Sequence, residues 1–418
     1  MTKTLERHQK GEKKALPDGW QLVKLGEVCD IIGGSTLPNH QSNVPEEERI
    51  YCLKVSDLDG VFSNGRNLRG SPIYTNKQNA GSRILAPDDV VFPKRGGAIA
   101  TNKKRILKVS AVLDPNLMGI HAHKKKVLPE FLHLWFKSWD LASIQSGNSV
   151  PQINRKDLDP LLLPLPPLDE QKRIVAILNE QMAAVEKARA AAEAQLEAAD
   201  ALPAAYLRQV FDSPEAQTWE TKRLGDVATS VQNGIYKKNE FYGHGHPFIR
   251  MYNIDNNSWN LSFHEVAQIE VDEQELRKFS LQKGDILISR VNSFELVGKC
   301  GWVCEKADGN VFENMLIRVR LKQGFDSLFM TQQLRTKKIK DQIKEVAKRA
   351  IGQSSINSTD VRNLELAIPP TQRQKNISEM INAKFKQTED IRQSLQGQLD
   401  TINAMPAALL RRAFQGEL

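Results

Sequence analysis

The chain is written twice, and that repetition limits its fold more than any other feature. WQLVKLGEV at Trp20 returns as WETKRLGDV at Trp219, 199 residues on. LPLPPLDEQKRI around Pro166 returns as LAIPPTQRQKNI around Pro369, and LPAAYLRQVF from Leu202 returns as MPAALLRRAF from Met405, both 203 residues on. Between these anchors the offset drifts, so that Asp89 pairs with Asp285 at a separation of 196. One architecture is therefore used twice, with tight frames and divergent inserts. Two equivalent frames holding different inserts can read two different things at a fixed separation.

Each half divides into a mixed segment and a long helix. Residues 20–166 carry short apolar runs, IYCLKV from Ile50 and DDVVFP from Asp88, between Gly, Pro and Asn, which read as strands and loops. FLHLWFKS from Phe131, just after Pro129, reads as a helix start. Pro164, Pro166 and Pro167 close that domain. From Leu168 onward Val175, Leu178, Met182, Val185, Arg189, Ala192, Leu196 and Ala199 alternate steps of three and four, a heptad seam. The spacing predicts a helix to about Pro203, where proline breaks or restarts a helix. About 35 residues make a rod of roughly 50 Å. The second mixed segment, 212–369, has strand candidates in PFIRMYNI from Pro247 and GDILISRV from Gly284. After Pro369 and Pro370 the seam returns as Ser378, Ile381, Phe385, Thr388, Arg392, Leu395, Leu399 and Ile402. One chain that returns on itself predicts antiparallel rods. The expected organisation is a basic tail at 1–19, domains at 20–166 and 212–369, and helical segments at 167–211 and 370–418. The fold class is α+β or α/β: two globular domains separated by two long antiparallel coiled-coil helices, with an internal pseudo-twofold repeat.

The order of parts is that of a known family. LPLPPLDEQKRIVAIL from Leu163 and LLRRAFQGEL ending at Leu418 resemble the conserved regions of type I restriction–modification DNA specificity subunits. The second opening, PPTQRQKNI, departs from the family's acidic-Gln-Lys-Arg start. The resemblance implies a subunit that does no chemistry itself and needs no cofactor. Each target-recognition domain reads one half of a bipartite site in double-stranded DNA. The helices act as a ruler for the spacer and dock two methyltransferase subunits, and restriction motor–nuclease subunits complete the complex. The rival class is a stand-alone DNA methyltransferase or nuclease.

Composition agrees with such a partner. A net charge of +8 favours an anionic partner, nucleic acid first. No run of 18 or more apolar residues exists, so no membrane span is expected. The four cysteines, Cys29, Cys52, Cys300 and Cys304, do not match across the repeats and form no disulfide framework, which suits a reducing cytoplasm. Catalytic motifs are sparse. FYGHG from Phe241 imitates a glycine loop for S-adenosylmethionine, yet no NPPY-type or DPPY-type motif follows it. There is no Walker A sequence. His121 with His123 and His244 with His246 read as strand or loop residues rather than metal ligands, and no metal site is expected.

The candidate DNA contacts are basic. From Lys94 to Leu113 there are six basic residues, Lys94, Arg95, Lys103, Lys104, Arg105 and Lys108, and no acidic one before Asp114. With Gly96 and Gly97 inside it, the run can follow a phosphate backbone. In the second half Lys94 aligns with Arg290, followed by Asn292, and Lys54 aligns with Arg250. Arg can donate two hydrogen bonds to guanine, and Asn can pair with adenine. Residues 335–349 read as a basic surface helix. Gln152-Ile153-Asn154 and Ser355-Ile356-Asn357 recur at one offset and are expected to cap the junction to each helix rather than to discriminate sequence.

Overall fold

A computed structural model describes residues 16–64, 66–146, 150–256 and 258–418; most of the basic tail, residues 1–15, lies outside these. The chain forms two compact units, one of residues up to Glu193 together with Gly397–Leu418, the other Ala194–Gln396.

In the first unit the apolar runs become a six-stranded sheet ordered Cys29–Gly33, Leu117–Ala122, Val90–Pro93, Arg105–Leu107, Asn67–Leu68, Ser63–Asn64. Beside it lies a smaller sheet of Tyr74–Thr75, Ile50–Leu53 and Ala111–Leu113, whose last two strands run parallel. Val90, Val91 and Phe92 are buried in succession, as expected of a strand covered on both faces. The helix Pro129–Lys137 starts with Pro at its first turn, where the missing N–H costs nothing. Its Phe131, Trp135 and Phe136 share a core with Ile174, Val175 and Leu178 of the first long helix and with Leu410, Ala413 and Phe414 of the second.

The second unit repeats this plan. Its main sheet is ordered Ala228–Asn233, Leu316–Leu321, Ile286–Ser289, Cys300–Trp302, the same sequence order and antiparallel pairing as the first four strands of its counterpart. The strand expected from Pro247 begins earlier, at Tyr242, and stops at Ile249. Its FYGHG glycines serve the backbone: Gly243 and Gly245 have φ of +96° and +95°, where the pairing with Ala267–Ile269 shifts register. A Cβ on Gly245 would lie 2.7 Å from the Ile269 carbonyl. A bulge needs glycine there, which accounts for the motif without a cofactor.

Both long helices have 44 residues, Leu168–Phe211 and Thr371–Phe414. The expected stop near Pro203 is corrected, since the helix runs through Pro203, as the second runs through Pro406. A proline removes one helical hydrogen bond and crowds the preceding turn. What lies beyond offsets that, for Leu207 is buried in the second unit's core and Val210 and Phe211 pack against it. Within the second unit the helices are antiparallel. Arg392 pairs with Asp200, Lys384 reaches Gln209, and Arg373 makes a two-armed pair with Glu215 at 2.8 and 2.6 Å. The seam points inward, with Val175, Leu178, Val185, Ala192, Ala199, Ser378, Ile381 and Thr388 buried. Arg189 is exposed on it, where its long stem leaves the charge in water.

Candidate nucleic-acid interface

In each unit the backbone brings two basic residues to one turn. In the first, the Leu53 carbonyl accepts from the Asp114 N–H at 2.9 Å, and the Lys94 N–H donates to the Asn116 carbonyl at 2.8 Å. Lys54 and Lys94 thus flank the turn 114–116. In the second, the Ile249 carbonyl accepts from the Glu313 N–H at 3.0 Å, and the Arg290 N–H donates to the Met315 carbonyl at 2.8 Å. Arg250 and Arg290 flank the turn 313–315 in the same way. Lys54 and Arg250 each precede a short 3-10 helix whose third residue closes back on them, through Asp57 at 2.8 Å and Asn253 at 2.9 Å. The carbonyls of Lys94 and Arg290 each accept from an isoleucine, Ile153 and Ile356, at 2.9 Å. Four positions aligned by sequence offset therefore occupy equivalent backbone sites.

Their side chains differ. Lys54 and Arg95 are exposed, and Lys94 is half-buried. Burial, reinforced by neighbouring Arg95 and Arg83, holds the Lys94 ammonium below the ordinary lysine range. Arg250 pairs with the buried Glu313 at 3.1 Å. Arg290 has a buried Nε without a partner, and its Nη1 lies 3.5 Å from the Asn314 carbonyl. An unpaired buried donor is costly, so the Nε of this guanidinium stands unsatisfied within the described residues. Asn292, half-buried, accepts from the Ser293 N–H at 2.9 Å and donates weakly to the Ser289 hydroxyl at 3.4 Å.

The basic run splits at Asn102. Lys103 is paired with Asp59. Arg105 donates to the Leu58 carbonyl and the Ser63 hydroxyl, both at 3.0 Å, and its Nη2 reaches Asp59 at 3.3 Å. Lys104 is only 5% exposed. Its ammonium donates to the Asn102 side chain at 2.6 Å and the Trp139 carbonyl at 2.8 Å, and burial lowers its pKa to about 7. The expectation of a DNA contact is corrected for Lys104, because a buried ammonium with two internal acceptors does not reach phosphate. Lys103 and Arg105 have their charges engaged by Asp59.

The junction residues lie ahead of the long helices, separated from them by the strands Leu162–Leu165 and Glu365–Ile368. Asn154 and Asn357 open short helices at Arg155–Leu158 and Ser358–Arg362, and Asn357 accepts from the Thr359 and Asp360 N–H groups at 2.7 and 3.0 Å. The histidines are engaged within the fold. His121 bonds Asp89 at 2.7 Å, His123 reaches Asp30 at 3.2 Å, His244 bonds Glu270 at 3.1 Å and His246 bonds the Gly309 carbonyl at 3.2 Å. Among the described residues no group of three potential ligands converges on a metal.

Sequence reasoning missed one matched pair. Gln171 and Gln374 are fully buried. The Gln171 amide donates to the Pro166 carbonyl at 2.9 Å and accepts from the Leu128 N–H at 2.8 Å, at the start of the helix Pro129–Lys137. Gln374 donates to the Pro369 carbonyl at 2.8 Å and accepts from the Asp326 N–H at 2.9 Å. Each glutamine latches a long helix to a helix of its own unit. The available signal was its identity at the 203-residue offset, kept together with Lys172/Lys375 and Ile174/Ile377 while Leu168, Asp169, Glu170 and Arg173 change.

The chain matches the family described as the type I restriction modification DNA specificity domain over residues 17–196 and again over 216–400. It is 23% identical to the type I restriction enzyme EcoKI specificity subunit of Escherichia coli strain K12, over 96% of this chain and 90% of that one. It is 23% identical to the StySPI specificity subunit of Salmonella potsdam, over 96% and 90%. Among solved structures, the HsdS subunit of Thermoanaerobacter tengcongensis has the same fold, with a TM-score of 0.62 and 22% identity over 97% of this chain and 99% of that one. A chain solved to explain complex assembly and conformational transition of the type I R-M system matches with a TM-score of 0.73 and 21% identity, over 97% and 100%. Among the described residues no helix is long and apolar enough to cross a membrane.

Proposed function

Since the chain belongs to the type I restriction–modification DNA specificity family, we propose that it is the DNA-reading and assembly subunit of a type I enzyme in the cytoplasm. The observation that carries the reading is the pair of equivalent turns with unlike side chains. One frame presents Lys54 and Lys94, the other Arg250 and Arg290. A lysine ammonium is a compact charge suited to phosphate, whereas an arginine fork can match the edge of guanine. The same backbone with different chemistry is what two unlike half-sites require. Lys54, Lys94, Arg95, Arg250, Arg290 and Asn292 are the proposed contacts.

The subunit carries no chemistry of its own; two methyltransferase subunits dock on the helices and adjoining surfaces, and motor–nuclease subunits join them. Each helix, 44 residues long, is a rod of about 66 Å, and its length sets the unspecified spacer. The equal length of the two helices and the paired glutamine latches support that role. The test is a genome-wide map of methylated adenines in cells with and without the chain. One bipartite motif should vanish with it. Replacing residues 20–166 should change one half of that motif, and a simultaneous change in both halves would refute independent reading. Methyl transfer from labelled S-adenosylmethionine by the isolated chain would overturn the non-catalytic assignment.

A further inference from the structure

A short hairpin in the second unit is not explained by its core. Lys348–Ala350 pairs with Gln353–Ser355 across the two-residue turn Ile351–Gly352. Gly352 takes φ of +74°, the left-handed geometry that such a turn needs and that glycine adopts without strain. Ile351 at the tip is fully exposed, and Lys348, Arg349 and Ala350 are exposed behind it. A lone exposed isoleucine needs no explanation, so its setting decides.

That setting ties the hairpin to the candidate interface. Gln353–Ser355 also pairs with Val291–Asn292. Asn292 and Arg349 both stand opposite Ser354, so the three lie in one row across the sheet, on one face. Ile356, one residue past the hairpin, is the residue that bonds the Arg290 carbonyl. The Arg349 guanidinium lies 3.7 Å from the centre of the Phe294 ring, with the Lys344 ammonium 5.5 Å from it. Stacking on an aromatic face fixes a flexible arginine in position. From Lys337 to Arg349 there are six basic residues and two acidic ones, and Glu295 is a further acid facing Lys344 and Arg349.

A two-stranded ribbon fits the major groove of B-form DNA, whose thymines present a methyl group to apolar side chains. We propose that the hairpin 348–355 enters the major groove of the half-site read by the second unit, with Ile351 against a thymine methyl and Arg349 and Asn292 facing base edges or phosphate behind it. The proposal rests on the reading of the chain as a DNA-specificity subunit and adds the element that inserts.

The experiment uses the full chain assembled with its methyltransferase subunits and a duplex carrying the mapped bipartite site. Each thymine of the half-site is replaced in turn by deoxyuridine, which lacks only the methyl group. One such replacement should weaken binding about four-fold, the value of one methyl removed from water. Ile351→Ala should weaken binding to the native duplex by at least as much and should erase the effect of that one replacement. Binding at the half-site read by residues 20–166 should be unchanged in the variant, which also shows that it folds. Additive effects at every thymine, or full affinity in Ile351→Ala, would overturn the hairpin while leaving the wider reading intact. Normal DNA affinity with weakened subunit assembly would mark the tip as a protein contact and overturn it equally. Absence of any sequence preference in the assembled wild type would overturn both.

Discussion

Arg290 offers the sharpest separation between a structural charge and a reading one. Its backbone is fixed at both ends, by the Met315 carbonyl at 2.8 Å and the Ile356 N–H at 2.9 Å. Its side chain gains little from the fold, having an orphaned Nε and one long contact to Asn314. Arg290→Ala therefore removes a buried unsatisfied donor rather than a bond, and thermal stability should hold or rise slightly. Binding should fall. A two-armed arginine contact to a base is worth about 1–3 kcal/mol, which is roughly 5- to 150-fold in affinity. If the group contacts phosphate instead, the slope of log affinity against log salt should shrink by about 0.9. Fluorescence anisotropy of the assembled complex on the mapped duplex, across a salt series, reads both quantities. Arg250→Ala is the comparison, since its guanidinium is already paired with Glu313 at 3.1 Å. It should cost stability, by stranding a buried carboxylate, and less affinity than Arg290→Ala. A lower melting temperature for Arg290→Ala with unchanged affinity and salt slope would refute the reasoning and make Arg290 a structural residue.

Three further outcomes are expected. The Lys104 pKa falls to about 7 in the fold from an ordinary 10.5, so between those values the unfolded chain holds a proton that the folded chain has released. Stability should accordingly rise as pH rises from about 7 towards 10, and Lys104→Met should flatten that rise in melting curves; equal slopes would exclude Lys104 as the cause. Phe414 is buried with its ring 5.3 Å from that of Phe131, so Phe414→Ala should cost about 3–5 kcal/mol, and an unchanged denaturant midpoint would show that the chain's last turn is dispensable. Four helix-forming residues inserted after Ala192 add about 6 Å, near two base-pair steps of about 3.4 Å. The methylation map should then show a longer spacer with both half-sites kept, and an unchanged spacer in a folded mutant would exclude the helices as the ruler.

The sequence by itself determined the repeat, the helix seams and a few of the strands, in the runs from Ile50, Asp88, Pro247 and Gly284. These are signals of period and identity: Val175 to Ala199 and Ser378 to Ile402 mark one helix face each, and Val90–Pro93 and Ile286–Ser289 mark buried strands. It also aligned Lys54 with Arg250 and Lys94 with Arg290, because a repeated frame keeps equivalent residues in equivalent order. Only the tertiary structure decided which charges are free. Lys103, Lys104 and Arg105 form a basic run in the sequence, yet Asp59, Ser63 and Trp139, dozens of residues away, hold them. Only the structure carried each helix past its proline, since the contacts of Leu207, Val210 and Phe211 in the first and of Leu410, Ala413 and Phe414 in the second are made with residues far along the chain. The division into units was equally hidden, with residues 397–418 belonging to the first unit and 194–211 to the second. Local pattern fixes what an element is. Whether a side chain is available, and which core an element completes, depends on partners brought together through space, and no window of sequence contains them.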